Sequence, residues 1–335
     1  MNISLFGNQR FEVPILNDGI FYERMESVLN EPVAIYIFHN VVINPEEFSS
    51  PGANKKTIHL KGTWFPIMDC GGHYGHYIKE GVGAFLYCRS KMPDLKPVFF
   101  EFMTADPIGI TGARKLINDL NQELAEEFGD PKNIYRGPVF FENRIFIDKL
   151  VIMMDNGRMF FRKHYPFFNE HMAPELSKSL FKHFDKYKQD DPTYPKKIYV
   201  SRRLATKAIE NANFTNHEHF KKRYFEPWVE DALENAFKDN GYTVIDFAEM
   251  DFADQVKYPH NATHFASISG TAFHNGIWCK NGTTFYCIRP NNLYLFDWKH
   301  DIVKSLEDVS WNHVDPWECS DYDQLYDFVV KQLKA

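Results

Sequence analysis

A chain of 335 residues is long for a single hydrophobic core, so two domains are expected. Its composition, 44% apolar and 25% charged, is that of a globular protein, and no apolar run reaches the ~20 residues of a membrane-spanning helix. A net charge of −7 argues against non-specific clamping of nucleic acid, and five scattered cysteines without a Cys-x-x-Cys pair support neither a disulfide framework nor a zinc knuckle.

The amino terminus lacks the basic start and long apolar stretch of a secretory signal, so a reducing cytosol is the expected compartment. In chain order, β-like runs at 33–38, 98–102 and 144–154 alternate with helical stretches at 75–90 and 112–128. The polar, proline-bearing segment 186–195 reads as an interdomain linker. Beyond it come a strand at 198–200 and a helix at 227–238, where Trp228, Val229, Ala232, Leu233, Ala236 and Phe237 share one face. A strand at 242–247, a helix at 252–262, a strand at 265–268, a short helix at 272–280 and a strand at 284–288 come next. Such alternation predicts a parallel sheet with crossover helices. An amphipathic helix at 322–333 closes the chain. The expected domains are 1–188 and 189–318, with 319–335 packing back across them.

Two strand ends carry anion-binding chemistry. The run Phe265–Ile268 opens into Ser269-Gly270-Thr271-Ala272, small residues at a strand-to-helix turn whose free N–H groups favour a bound anion. Ile198-Tyr199-Val200-Ser201 ends another run with Arg202 and Arg203. Together they point to a phosphate-bearing ligand at the carboxyl edge of an α/β sheet. Other clusters are weaker. Asp321-Tyr322-Asp323 has the Asp-x-Asp form of some metal sites but opens the last helix, where capping is the better reading. The histidines between His164 and His264, including His217-Glu218-His219, form no convincing ligand triad, so no metal is expected.

The order of these motifs resembles the inverting glycosyltransferase family that includes plant β-1,2-xylosyltransferases and the EGF-domain-specific O-GlcNAc transferase. The matching elements are Val200-Ser201-Arg202-Arg203, Phe252-Ala253-Asp254-Gln255, Ser269-Gly270-Thr271-Ala272-Phe273-His274-Asn275 and Cys287-Ile288-Arg289-Pro290. In the first half they are Gly71-Gly72-His73-Tyr74-Gly75-His76-Tyr77 and the run from Phe38 to Ile43. Departures mark a divergent member: Ser269 replaces a His, Cys287 an acidic residue, Lys207 an Arg, and Asn211-Ala212 an Asn-Glu pair.

The resemblance implies an α/β enzyme of two Rossmann-like domains facing each other across a cleft, the GT-B-type architecture. It implies metal-independent, inverting transfer of a sugar from a nucleoside-diphosphate donor, UDP-linked, to a hydroxyl, with no cofactor beyond that donor. Donor-binding candidates are Arg202, Arg203, Gln255, Ser269, Gly270, Thr271, Ala272, His274 and Asn275. Inversion needs a base for the acceptor proton, and His76 is the first candidate, with His73, Glu80 and Asp106 behind it. Without a signal or anchor, a cytoplasmic microbial or viral enzyme is expected, with a glycan or a hydroxymethylated pyrimidine of phage DNA as acceptor. The departures also suit a catalytically silent nucleotide- or glycan-binding module, and that alternative stays open at this point.

Overall fold

The structure is a computed structural model describing residues 20–21, 24–29, 34–43, 56–68, 74, 77–101, 113–136, 143–155, 158–159, 172–204, 206–207, 225–270, 272–289 and 306–334. The chain divides into two compact units, one of Met1–Thr104 with Ile117–Leu180 and one of Ala105–Leu116 with Phe181–Ala335.

The first unit is built on an eight-stranded mixed sheet. Its strands are β1 (Ile20–Phe21), β2 (Arg24–Leu29), β3 (Ala34–Ile43), β4 (Lys56–Met68), β5 (Lys96–Glu101), β6 (Ile134–Arg136), β7 (Asn143–Asp155) and β8 (Arg158–Met159). The main path runs β1-β3-β7-β4-β5-β6. From β7 through β4 and β5 to β6 the pairing is parallel, whereas β1, β2, β3 and β8 add antiparallel partners. This mixture departs from the Rossmann-like sheet expected of the first half. Strand β4 escaped the sequence reading because Lys61-Gly62 interrupts its apolar pattern. At that point it bulges against β7, with Gly62 at φ +99° and its N–H donated to Asp148 Oδ2 at 3.0 Å.

A π-helical turn, Tyr77–Gly83, leads into α1 (Ala84–Lys91), and α2 (Ala113–Phe128) comes after β5. Phe85 packs against Phe65 of β4 and Phe128 of α2, while the buried Tyr77 hydroxyl donates to Asn121 Oδ1 at 2.6 Å. Helix α3 (Met172–His183) was also missed from sequence, where Pro174 and flanking histidines obscure a helix that buries Leu176 and Leu180.

The second unit is a five-stranded parallel sheet, ordered β10-β9-β11-β12-β13. The strands are β9 (Lys197–Val200), β10 (Thr243–Ile245), β11 (His264–Ile268), β12 (Thr284–Ile288) and β13 (Ser310–Val314). Helix α4 (Pro227–Asp239) joins β9 to β10, and α5 (Phe252–Asn261) joins β10 to β11. Proline at its start suits α4, because the first helical N–H groups have no intrahelical acceptor. Just past its end Gly241 takes φ +82°. Between them Val229, Ala232, Leu233, Ala236 and Phe237 recur at helical spacing and are buried. They pack on Tyr199, Ala266, Ile268, Tyr286 and Ile288, with Phe237 stacked on Tyr199 at 4.6 Å.

Alternate residues face the other side of the sheet. There Phe265 and Phe285 meet Phe273, from a 3-10 run at Ala272–Trp278. Trp278 sits edge-on to Phe181, Phe184 and Phe252. The segment 186–195, read from sequence as a linker, is tied to this unit: Asp191 N–H donates to Asn261 Oδ1, and Asn261 Nδ2 to the Gln189 carbonyl. The last helix, α6 (Tyr322–Lys334), packs on α4, burying Leu325 and Val329. Asn235 Nδ2 donates to the Tyr322 hydroxyl and the Tyr326 hydroxyl to Asp239.

Candidate functional site

The strand order of the second unit fixes where a ligand can approach. The chain leaves β9 outward to β10, then crosses back so that β11 lies on the other side of β9. The connection after β9 covers one face, carrying α4, whereas the 3-10 run after β11 covers the other. Winding therefore reverses between β9 and β11, and the carboxyl ends of two such strands are where open α/β sheets bind ligands. Val200 and Ser267 are in register there, so Ser201-Arg202-Arg203 and Ser269-Gly270 leave the sheet side by side.

The two turns approach one another. A Cβ placed on Gly270 would lie 3.8 Å from Arg202 Nη1, and Gly270 itself takes φ +138°, a conformation that side chains rarely adopt. Ser269 N–H continues the ladder to the Ile288 carbonyl at 2.7 Å, and Phe273 N–H closes the turn onto the Gly270 carbonyl at 3.0 Å. The chain then enters a short 3-10 run, not an α-helix, so the dipole expected behind this turn contributes little. The Arg202 guanidinium is therefore the stronger candidate for an anion at this edge.

Arg203 lies over α4: its Nε donates to both Glu234 oxygens at 3.1 and 3.2 Å, and its Nη2 to Glu234 at 2.9 Å and Asp231 at 2.7 Å. These carboxylates push its pKa above the ordinary arginine value. Ser201 Oγ donates to the same Glu234 at 2.6 Å and accepts the Arg203 N–H at 3.1 Å. Glu230, buried one turn earlier, accepts from Thr206 Oγ1 at 2.7 Å. Burial raises its pKa, opposed by that hydrogen bond and by Arg203 and Arg202.

Gln255 and Asn275 also come together. Gln255 Nε2 donates to the carbonyls of Phe247 (2.8 Å) and Met250 (3.3 Å), and its Oε1 accepts from Asn275 Nδ2 at 3.2 Å. Both side chains are almost fully buried, as is His274. In this arrangement Gln255 binds the entry of α5 to the 3-10 run. Ala272 is half-buried at the start of that run, and Thr271 lies outside the described residues.

At the far side of the same edge Arg289, after β12, forms a two-point ion pair with Asp315, after β13. Its guanidinium lies 5.3 Å from the Trp317 ring. The sequence reading missed this pair, although Arg-Pro after one strand and Asp-Pro after the next was visible. Cys287 is buried at the end of β12, in register with Ser267 and His313.

Of the base candidates, His73, His76 and Asp106 lie outside the described residues, and Glu80 falls in the π-helical turn with its side chain undescribed. Asp321 accepts the Gln324 N–H at 3.0 Å and so caps α6, the reading preferred for Asp321-Tyr322-Asp323. Among the described residues no cluster of three or more His, Cys, Asp or Glu could hold a metal, and no helix is long and apolar enough to cross a membrane.

No curated protein matches the chain. A family model does: Glycosyltransferase 61, over residues 74–286. That span holds the π-helical turn, the Arg202 and Gly270 turns, α4 and α5, and stops just short of Cys287. Covering more than half of the sequence, it shows that the chain belongs to the Glycosyltransferase 61 family and is a glycosyltransferase.

Proposed function

We propose that this glycosyltransferase takes its sugar from a nucleoside diphosphate, UDP-linked, held at the carboxyl edge of the second unit, and transfers it with inversion and without a metal. The observation that carries the reading is the approach of Arg202 to Gly270 at the reversal of strand winding.

The acceptor oxygen attacks the anomeric carbon as the bond to the β-phosphate oxygen breaks. The leaving electron pair goes to the diphosphate and the acceptor proton to a base. Charge growing on the diphosphate is met by the Arg202 guanidinium, which presents paired N–H donors and stays cationic at all working pH values. Lacking a side chain, Gly270 lets a phosphate approach the backbone beside it. Gln255 and Asn275 set the far side of this turn from within the core, and His76 is proposed as the base.

Incubation with a panel of UDP-sugars in EDTA, with UDP release and the anomeric configuration of product monitored by NMR, tests the chemistry. Inverted product is expected, with Arg202→Ala reducing kcat/KM by about 100-fold or more. Retained configuration, or an absolute need for a divalent ion, contradicts it. The acceptor is a hydroxyl of a glycan or of a hydroxymethylated pyrimidine in DNA. Retention on DNA that falls steeply with salt identifies the second.

A further inference from the structure

Arg203 was a donor-binding candidate by sequence, yet its guanidinium is committed to Asp231 and Glu234 on α4. Glu234 holds the turn in two ways. It takes the Arg203 side chain, and through Ser201 Oγ it also holds the Arg203 backbone N–H, closing a ring of hydrogen bonds around the residue next to Arg202. One turn along, Thr206 N–H donates to the Arg202 carbonyl at 2.9 Å while Thr206 Oγ1 donates to Glu230. From the end of β10, Asp246 accepts the Leu204 N–H at 3.2 Å. The backbone of Arg202 is thus bracketed on both sides by groups anchored to α4, whose opposite face is buried in the core.

We infer that the acidic face of α4, Glu230, Asp231 and Glu234, is a positioning device for the donor site, and that Arg203 is its handle rather than a diphosphate ligand. This rests on the reading of Arg202 as the diphosphate ligand. A planar fork gripped by two carboxylates sets the turn's orientation, and binding loses least when the ligating arginine is already oriented. Lysine at 203 keeps the charge but not the fork. Glutamine at 234 keeps an acceptor for Ser201 but not the charge.

The test is UDP titration by calorimetry, well below the unfolding midpoint of each full-length variant, on wild type, Arg202→Ala, Arg203→Ala, Arg203→Lys, Glu234→Gln and the double variant Arg202→Ala with Arg203→Ala. Arg203→Ala and Glu234→Gln are expected to weaken UDP by about 10-fold, and Arg203→Lys by less. In the Arg202→Ala background, Arg203→Ala should change the affinity by less than about 2-fold, because its effect passes through Arg202. Equal weakening in both backgrounds would make Arg203 a direct ligand and overturn the inference. So would Arg203→Ala and Glu234→Gln that lower the midpoint but keep wild-type affinity, since that marks a purely structural clamp. If Arg202→Ala itself leaves UDP affinity unchanged, the donor-site reading fails, and the inference fails with it.

Discussion

At Gly270 the constraint is the backbone, at φ +138°; Arg202 Nη1, 3.8 Å from where a Cβ would stand, is at ordinary contact distance. Gly270→Ala is expected to cost about 1–3 kcal/mol of stability through backbone strain and to weaken UDP binding as well. Thermal unfolding with and without UDP checks both parts; a variant as stable and as responsive as wild type would remove Gly270 from the site. His264, at the start of β11, offers a test through pH. Burial, and then Lys197, hold its pKa below the ordinary 6.5. The unfolded chain therefore takes up the proton first as pH falls, so this contribution to stability is lost below about 6.5 until the folded ring also protonates. His260, held down by burial and Lys280, acts in the same direction. His264→Gln should therefore show a smaller fall in unfolding midpoint between about pH 7 and 5 than wild type; an unchanged fall would refute the assignment. At this scale the sequence singled out Arg202, Arg203 and Gln255 as candidates without showing their partners. The partners of Arg203 lie some 30 residues downstream on α4, and Gln255 meets Asn275 across two elements. Only the fold brings such pairs together.

Elements with a strong apolar period were legible. Helix α4 and strands β11 and β12 lie close to where the spacing predicts, because their buried faces are continuous in sequence. β13 was not foreseen. Its Trp311, Asn312 and His313 are half-exposed on an edge strand, which needs no apolar run. Packing behind the site turn is tight: a Cβ on Gly276 would stand 2.9 Å from Phe285 Cε1. Gly276→Ala should destabilise by about 1–3 kcal/mol through overpacking. Phe237→Ala, which empties the centre of the opposite face, should cost about 3–5 kcal/mol. Chemical denaturation measures both, and a loss under about 0.5 kcal/mol in either would show that the sheet face accommodates the change.

Across the whole molecule, the order of short motifs was more informative than any one of them. Ser-Arg after one strand, Gln in a later helix and a Ser-Gly-Thr-Ala turn are each common, yet their sequence within 200–275 resembles one family, and the family match spans that region. The parallel sheet of the second unit was legible from strand and helix alternation. The mixed sheet of the first was not, because β3 and β7 pair antiparallel over distant sequence while β4 carries an interrupted pattern. The base is proposed in the first half, where His76→Ala should abolish transfer and leave the response to UDP intact. Loss of both together would instead place His76 in donor binding or folding.

The central claim is that the carboxyl edge of the second unit binds a nucleoside diphosphate through Arg202. Its most direct test is a thermal-shift titration of wild type and Arg202→Ala with UDP, GDP, CMP and ADP in EDTA. Saturation at a hundred times the dissociation constant adds about 2.7 kcal/mol to apparent stability, a readily visible shift. A UDP-selective shift in wild type that disappears in Arg202→Ala is the predicted result. No shift with any nucleotide, or the same shift in both proteins, would contradict it.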